Sequence, residues 1–210
     1  MNRAFVDMDG VIVDFEAYMR ARKFDSQMVK DTPGAYAAML PCDGAIDGVR
    51  SLIGMRFEVW ISTKPPTGRP WAYAEKVDWI LRYLPELKRR IVITHDKGFL
   101  GDAGDILIDD RVWRANCHRF QGALISHRSW ERTLKRARAI AGGDHRAAAI
   151  RRDYMRKRST YRELIGTLYP PIAYEELMNL RSSYVDVGGS VEELLSVPQP
   201  EPDGRAPFFT

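Results

Sequence analysis

Short runs of apolar, often β-branched residues alternate with amphipathic stretches along the first 141 residues of the chain. The apolar runs are Ala4–Val6, Phe57–Ile61, Arg90–Ile93, Ile106–Ile108 and Ala123–Ile125. Each is short enough to be a buried strand. The stretches 45–53, 71–84 and 130–141 between or after them have helical spacing. Strands that alternate with helices predict an α/β fold with a doubly wound parallel sheet.

Two parts of the chain depart from this alternation. Residues 16–41 form a polar insert after the first strand, and we expect a small helical cap there. The core domain would then comprise residues 1–15 and 42–141. A helical extension, basic and then acidic, is predicted for residues 142–196, and the Pro-rich residues 197–210 are typical of a disordered tail.

The net charge of +4 is unevenly distributed. Residues 1–131 carry 19 basic and 18 acidic side chains, residues 132–162 carry 11 and 2, and residues 163–210 carry 2 and 8. The basic character therefore belongs to one segment. Cys42 and Cys117 are too few and too far apart for a disulfide framework, and we expect buried thiols. Without a long apolar run or a leader pattern, the sequence favours a cytoplasmic protein with no membrane contact.

Chemically active side chains follow four of the predicted strands. They are Asp7, Asp9 and Gly10 after the first, Ser62, Thr63 and Lys64 after the second, Thr94–Lys97 after the third, and Asp109, Asp110 and Arg111 after the fourth. In an open parallel sheet the carboxyl ends of the strands form the ligand-binding edge. Clustered carboxylates favour a hard divalent cation, Mg²⁺ above all. A cation, a lysine and a hydroxyl together suit phosphoryl transfer.

The spacing of Asp7 and Asp9 fits two separate roles. One carboxylate can attack phosphorus and form an aspartyl-phosphate, and the other can protonate the leaving oxygen and later activate water. Gly10 lets the backbone turn tightly beside the phosphate. Each motif alone has an ordinary explanation, since Asp and Thr often cap helices and lysines are usually solvated. Their joint occurrence at successive strand ends indicates a phosphate site.

These residues together resemble the haloacid dehalogenase superfamily of phosphotransferases. The elements are "DMDGV" at 7–11, Thr63 in "WISTKPP", Lys97 in "THDKGFL" and "LIDDR" at 107–111. Within that superfamily the sequence is similar to the 5′(3′)-deoxyribonucleotidases, which share "DMDGVIVDFE", "EKVDWI" and "PCDGA". The resemblance covers residues 4–128.

The resemblance implies a role for each matched residue. Asp7 would be the nucleophile and a metal ligand, and Asp9 the general acid and base with its backbone carbonyl on Mg²⁺. Asp109 would be a further ligand, with Asp110 on the metal or on a metal-bound water. Phosphate would be bound by Thr63, Lys97, Lys76, Gly10 and Lys64.

Two features depart from the family pattern. The cap is shorter than in the family and offers Tyr18, Phe24 and Tyr36 as candidates to stack on a base, with Phe15 beside them. His95 and Arg111 complete the predicted substrate pocket. Lys64 stands where the family often has a small hydroxyl residue.

The sequence thus predicts a Mg²⁺-dependent phosphomonoesterase for (deoxy)ribonucleoside 5′- or 3′-monophosphates. One alternative is a phosphatase for nucleic-acid 3′ ends, with residues 132–162 on the phosphate backbone. Few aromatic residues interleave those charges, so a solvated helix paired with the acidic tail or another subunit is favoured. The other alternative is a non-catalytic binding protein on the same fold. The sequence is also compatible with a homo-oligomer.

Overall fold

The computed structural model describes residues 1–164, 171–187, 189, 193 and 194. Its five strands are β1 (Arg3–Val6), β2 (Glu58–Thr63), β3 (Ile91–Ile93), β4 (Ile106–Asp109) and β5 (Ala123–Ser126). All neighbouring pairs are parallel, in the order β3-β2-β1-β4-β5. The predicted α/β class with a doubly wound parallel sheet is confirmed.

Within the described residues, eight α-helices connect and follow these strands. They are α1 (Phe15–Arg22), α2 (Ser26–Asp31), α3 (Ala35–Ala38), α4 (Ala45–Gly54), α5 (Pro70–Tyr83), α6 (Trp130–Ala141), α7 (Arg146–Leu164) and α8 (Pro171–Asp186). Short 3₁₀ turns cover Pro85–Leu87 and Cys117–Arg119. In the described part of the chain, no helix is long and apolar enough to span a bilayer.

The central strand β1 lies between β2 and β4, and Val6 pairs with Ile61 and Ile108 on either side. The chain runs outward to one edge through β2 and β3, and then returns to the other side of β1 for β4 and β5. This reversal of strand order places a topological switch between β1 and β4, where open α/β sheets bind ligands. A buried apolar cluster including Phe5, Leu107 and Phe120 supports the strands from one face.

The opposite face is covered in part by α4 and α6, which lie close together at Gly48. A Cβ on Gly48 would approach the Trp130 ring to 2.1 Å, so only glycine allows this approach. The Trp130 indole also donates to the Val11 carbonyl at 3.3 Å. The N-terminus of α6 is therefore fixed beside the loop that follows β1.

Helices α1 to α3 occupy the insert between β1 and α4. Asp14 caps α1 by accepting from Ala17 N at 2.8 Å, so the acids of "DMDG" are not needed as caps. Glu75 of α5 accepts from the backbone amides of Gly34 and Tyr36 at 2.6 and 3.0 Å. Further along α5, the Trp79 indole donates to the Met39 carbonyl at 2.9 Å. These contacts seat the insert on α5.

The insert also explains which face of α5 is buried. Helical spacing predicts that α5 buries an apolar face made of Trp71, Val77, Ile80, Leu81 and Leu84. In the structure Leu81 is 42% exposed, and Trp71 and Val77 are only partly buried. Lys76 and Trp79 are fully buried instead. Because α3 packs on α5, the helix buries a face that periodicity alone does not predict.

The chain divides into two compact units after Gly143. In the second unit α7 packs on α8 around Tyr154, Leu177, Tyr184 and Leu194, and Tyr184 hydrogen-bonds Glu193. Helix α7 lies in the basic part of the helical extension predicted at 142–196, and α8 lies in its acidic part. The tail predicted at 197–210 lies outside the described residues.

Candidate active site

A buried lysine joins the ends of β1 and β4. Lys97 Nζ donates to Asp7 Oδ1 at 2.6 Å and to Asp109 Oδ2 at 2.7 Å. All three side chains are nearly inaccessible, with 2%, 6% and 4% of Lys97, Asp7 and Asp109 exposed. The switch in strand order therefore brings together two carboxylates and an ammonium group.

The charges in this triad do not balance, because two carboxylates share one ammonium. Burial raises the pKa of Asp7 to about 7, from an ordinary value of 3.8. Lys97 opposes this shift, whereas Asp109 and Asp9 add to it. Burial alone would lower the pKa of Lys97, but the charges of Asp7 and Asp109 outweigh it and raise that pKa. A positively charged ligand would relieve the excess negative charge.

Asp110 completes an acidic group beside the triad. One carboxylate oxygen from each of Asp7, Asp109 and Asp110 lies within 4.8 Å of the others. Within the described part of the chain, the buried Oδ1 of Asp110 has no hydrogen-bond partner. Burial raises the pKa of Asp110, which Arg111 opposes. Hard oxygen donors with an unsatisfied buried oxygen fit a divalent cation such as Mg²⁺.

Gly10 makes room for this acidic group. Its φ is +83°, and a Cβ there would lie 2.6 Å from Asp110 Oδ2. Both the backbone conformation and the close approach require glycine. Gly10 therefore shapes the position that Asp110 occupies, in addition to the turn predicted from the sequence.

Asp9 points to a different partner. Lys76 Nζ donates to both Asp9 oxygens, at 2.6 and 2.8 Å, and Lys76 is fully buried. The Tyr36 ring covers the ammonium at 4.4 Å from Nζ to the ring centroid. The Asp9 side chain is not part of the acidic group formed by Asp7, Asp109 and Asp110.

Two hydroxyls at the end of β2 are buried without a partner. Among the described residues, neither Ser62 Oγ nor Thr63 Oγ1 has a hydrogen-bond partner, and both side chains are fully buried. Buried hydroxyls are normally satisfied. A ligand oxygen at this edge would supply the missing acceptor, as a phosphate-binding role for Thr63 requires.

A cavity of about 500 Å³ opens above these groups. Besides Asp7, Asp9, Lys97 and Asp109, four further predicted residues line it, namely Phe15, Tyr36, Lys64 and Arg111. Three other predicted pocket residues are absent from its lining. The Tyr18 ring lies under the Arg22 guanidinium, and Phe24, just after α1, is half-buried. His95 is exposed, and its Nε2 lies 3.2 Å from the Tyr73 hydroxyl.

The lining also contains residues that the sequence did not single out. Lys30 and Arg69 reach the cavity from α2 and from the loop after β2, and Asp31 joins these segments through Arg69 at 2.6 Å. Arg114, which the sequence does offer as a rim candidate because it follows "LIDDR", lines the cavity from the loop after β4. Neither Lys30 nor Arg69 directly follows a strand, so no sequence signal of the kind used above would have found them.

Comparisons with known proteins place the chain beside nucleotidases. Residues 26–140 match the family described as 5′ nucleotidase, deoxy (Pyrimidine), cytosolic type C protein. This match begins after Asp7 and Asp9, so the assignment of those two residues depends on the site geometry and on the resemblance of the motif.

Three curated relatives show the extent of the similarity. The human cytosolic-type 5′(3′)-deoxyribonucleotidase is 29% identical over 143 residues, covering 52% of this chain and 70% of the relative. The human mitochondrial protein of that name is 28% identical, over 52% of this chain and 62% of the relative. Its mouse counterpart is 28% identical, over 63% of this chain and 71% of the relative. The chain thus spans about two thirds of these relatives.

Proposed function

The chain belongs to the 5′ nucleotidase, deoxy (Pyrimidine), cytosolic type C family, and on this premise we propose that it is a Mg²⁺-dependent phosphomonoesterase of nucleoside monophosphates. Its substrates would be (deoxy)ribonucleoside 5′- or 3′-monophosphates, in line with the names of its relatives. The observation that carries the proposal is the buried Asp7–Lys97–Asp109 triad at the switch point. Hydrolase chemistry on a phosphate ester is what this site fits best.

In the first half-reaction, an Asp7 oxygen attacks the phosphorus atom. The bond from phosphorus to the sugar oxygen breaks, and Asp9 gives a proton to that oxygen as the nucleoside leaves. The phosphoryl group stays on Asp7 as an aspartyl-phosphate. Lys97 and Thr63 bind its equatorial oxygens, where negative charge spreads in the transition state.

In the second half-reaction, the ionised Asp9 takes a proton from a water molecule. The water oxygen attacks phosphorus, the bond to Asp7 breaks, and inorganic phosphate is released. A divalent cation on Asp7, Asp109 and Asp110 would supply the positive charge that keeps Asp7 ionised and attracts the phosphate.

Lys76 positions Asp9 for these proton transfers. Its buried ammonium donates to both Asp9 oxygens and so holds the carboxylate in one orientation.

The test is phosphate release from a panel of deoxy- and ribonucleoside 5′- and 3′-monophosphates, with Mg²⁺ and with a chelator. We expect Mg²⁺-dependent turnover by the wild type and none by Asp7→Asn with an unchanged circular dichroism spectrum. Release without Mg²⁺, or normal turnover by Asp7→Asn, would contradict the proposal.

A further inference from the structure

The cavity above the triad has more positive charge at its rim than one phosphate group requires. Its lining includes six cationic side chains from four segments of the chain, which are Lys30, Lys64, Arg69, Lys97, Arg111 and Arg114. A phosphate monoester carries a charge of about −1.5 to −2 near neutral pH. In the proposed function, Lys97, which lines the cavity, and the buried Thr63 already serve the reacting phosphate.

The acids that line the cavity do not account for the remaining charge. Asp7 and Asp109 share Lys97, and Asp9 is held by Lys76 from outside the cavity. Asp31 accepts from Arg69 at 2.8 Å. Asp9 and Asp31 each have a cation of their own, and Asp7 and Asp109 share one, so in the described part of the chain none of the four forms an ion pair with Lys30, Lys64 or Arg114.

Three rim cations have no such partner. Over the described part of the chain, the side chains of Lys30, Lys64 and Arg114 make no hydrogen bond or ion pair. A fourth, Arg111, forms an ion pair with Asp110 at 3.4 Å. Lys64 and Arg114 are exposed and Lys30 is half-buried, so all three can receive a ligand without unfolding.

Three separate segments deliver these cations to the same space. Lys30 comes from α2 of the insert, Lys64 from the loop after β2, and Arg114 from the loop after β4. The Asp31–Arg69 ion pair at 2.6 Å ties α2 to the β2 loop, next to Lys30. Convergence of like charges on one cavity is unfavourable unless an anion joins them.

Given the proposed function, we propose that the preferred substrate carries a second phosphate group, which Lys30, Lys64 and Arg114 bind at the cavity rim. The cavity of about 500 Å³ is in the ordinary size range for a small-molecule ligand, and Phe15 and Tyr36, whose ring centroids lie 6.3 Å apart, contribute aromatic side chains to its lining. A nucleoside 3′,5′-bisphosphate has this chemistry, and so does the phosphorylated end of a short oligonucleotide.

The test compares KM for a deoxynucleoside 5′-monophosphate, the matching 3′,5′-bisphosphate and a 5′-phosphorylated dinucleotide. We expect KM about tenfold lower for a substrate with the second phosphate, as two or three partly exposed ion pairs would give. Raising the ionic strength should shrink this advantage because the rim is screened by salt. A lower KM for the dinucleotide than for the bisphosphate would identify the polynucleotide end as the source.

Two variants and one control assign the effect to the rim. Arg114→Gln and Lys30→Gln should each reduce the KM ratio between monophosphate and bisphosphate by two- to threefold, since each removes one ion pair. Arg89→Gln changes an exposed arginine before β3, at the opposite edge of the sheet, and should leave the ratio unchanged. Equal weakening of both substrates by Arg114→Gln would mean general attraction of anions and would overturn the proposal.

A binding measurement separates this inference from the proposed function. Equilibrium titration of Asp7→Asn with the monophosphate and the bisphosphate needs no turnover. Tighter binding of the bisphosphate, reduced two- to threefold in the double variant with Arg114→Gln, supports the rim site even if no monophosphate is hydrolysed by the wild type. Equal affinities would overturn it, whatever the phosphatase assay shows.

Discussion

Replacing the proposed nucleophile should stabilise the metal-free protein at alkaline pH. Asp7 and Asp109 are both buried and share the single ammonium of Lys97. Asp7→Asn leaves one buried acid and one buried base, which removes an uncompensated negative charge. The variant thereby exchanges catalytic chemistry for stability, a trade that is common at active sites.

The size of this stabilisation follows from the pH dependence of the free energy of unfolding. The folded protein raises the pKa of Asp7 from 3.8 to about 7, so between these values the folded state binds a proton that the unfolded state has lost. Wild-type stability therefore falls as the pH rises through this window. From pH 5 to pH 7 the change is about 3 kcal/mol, at ~1.4 kcal/mol per pH unit. Asp7→Asn has no such titration.

The assay is urea unfolding of both proteins in the presence of a chelator, at pH 5 and pH 8. The free energy of unfolding of Asp7→Asn, relative to wild type, should rise by about 3 kcal/mol between these pH values. Asp105→Asn is the control, because Asp105 is equally buried but bound by Arg3 and by the Asp102 amide. It should lose stability at both pH values. A pH-independent difference for Asp7→Asn would refute the reasoning.

Three further predictions concern the rest of the site. Gly10→Ala should destabilise the protein by about 1–3 kcal/mol because of its positive φ, and should raise the Mg²⁺ concentration for half-maximal activity, since the new methyl group displaces Asp110. Lys76→Met should destabilise by about 3 kcal/mol in urea unfolding, because the Asp9 carboxylate loses its buried partner, whereas the exposed Lys88→Met should have little effect. Saturating Mg²⁺, at about 100 times its Kd, should add ~2.7 kcal/mol to wild-type stability in thermal or urea unfolding, and clearly less in Asp110→Asn; equal gains in both proteins would place the ion elsewhere.

The sequence predicts the sheet and the site residues at its carboxyl edge because both depend on local patterns. Apolar runs mark the strands, and parallel pairing brings the ends of β1 and β4 to one edge. Asp7, Thr63 and Asp109 directly follow or end those runs, so their proximity is implied once the strand order is known. The family resemblance then adds a role for each residue.

The rest of the site depends on contacts that no periodicity encodes. Whether Tyr18 or Tyr36 faces the cavity is decided by the seating of the insert on α5 through Glu75 and Trp79. Burial of Lys76 likewise follows from its ion pair with Asp9, which lies 67 residues away in the chain. Such long-range polar contacts override the helical pattern of α5.

The most direct test of the account is to trap the phosphorylated enzyme. Wild-type protein turning over a deoxynucleoside monophosphate with Mg²⁺ is quenched in acid, and the peptide that contains Asp7 is examined by mass spectrometry. We predict one added phosphoryl group on Asp7, more of it in Asp9→Asn if its second half-reaction is slowed further than its first, and none in Asp7→Asn. Phosphate release by the wild type with no phosphoryl group on Asp7, or turnover by Asp7→Asn, would contradict the account.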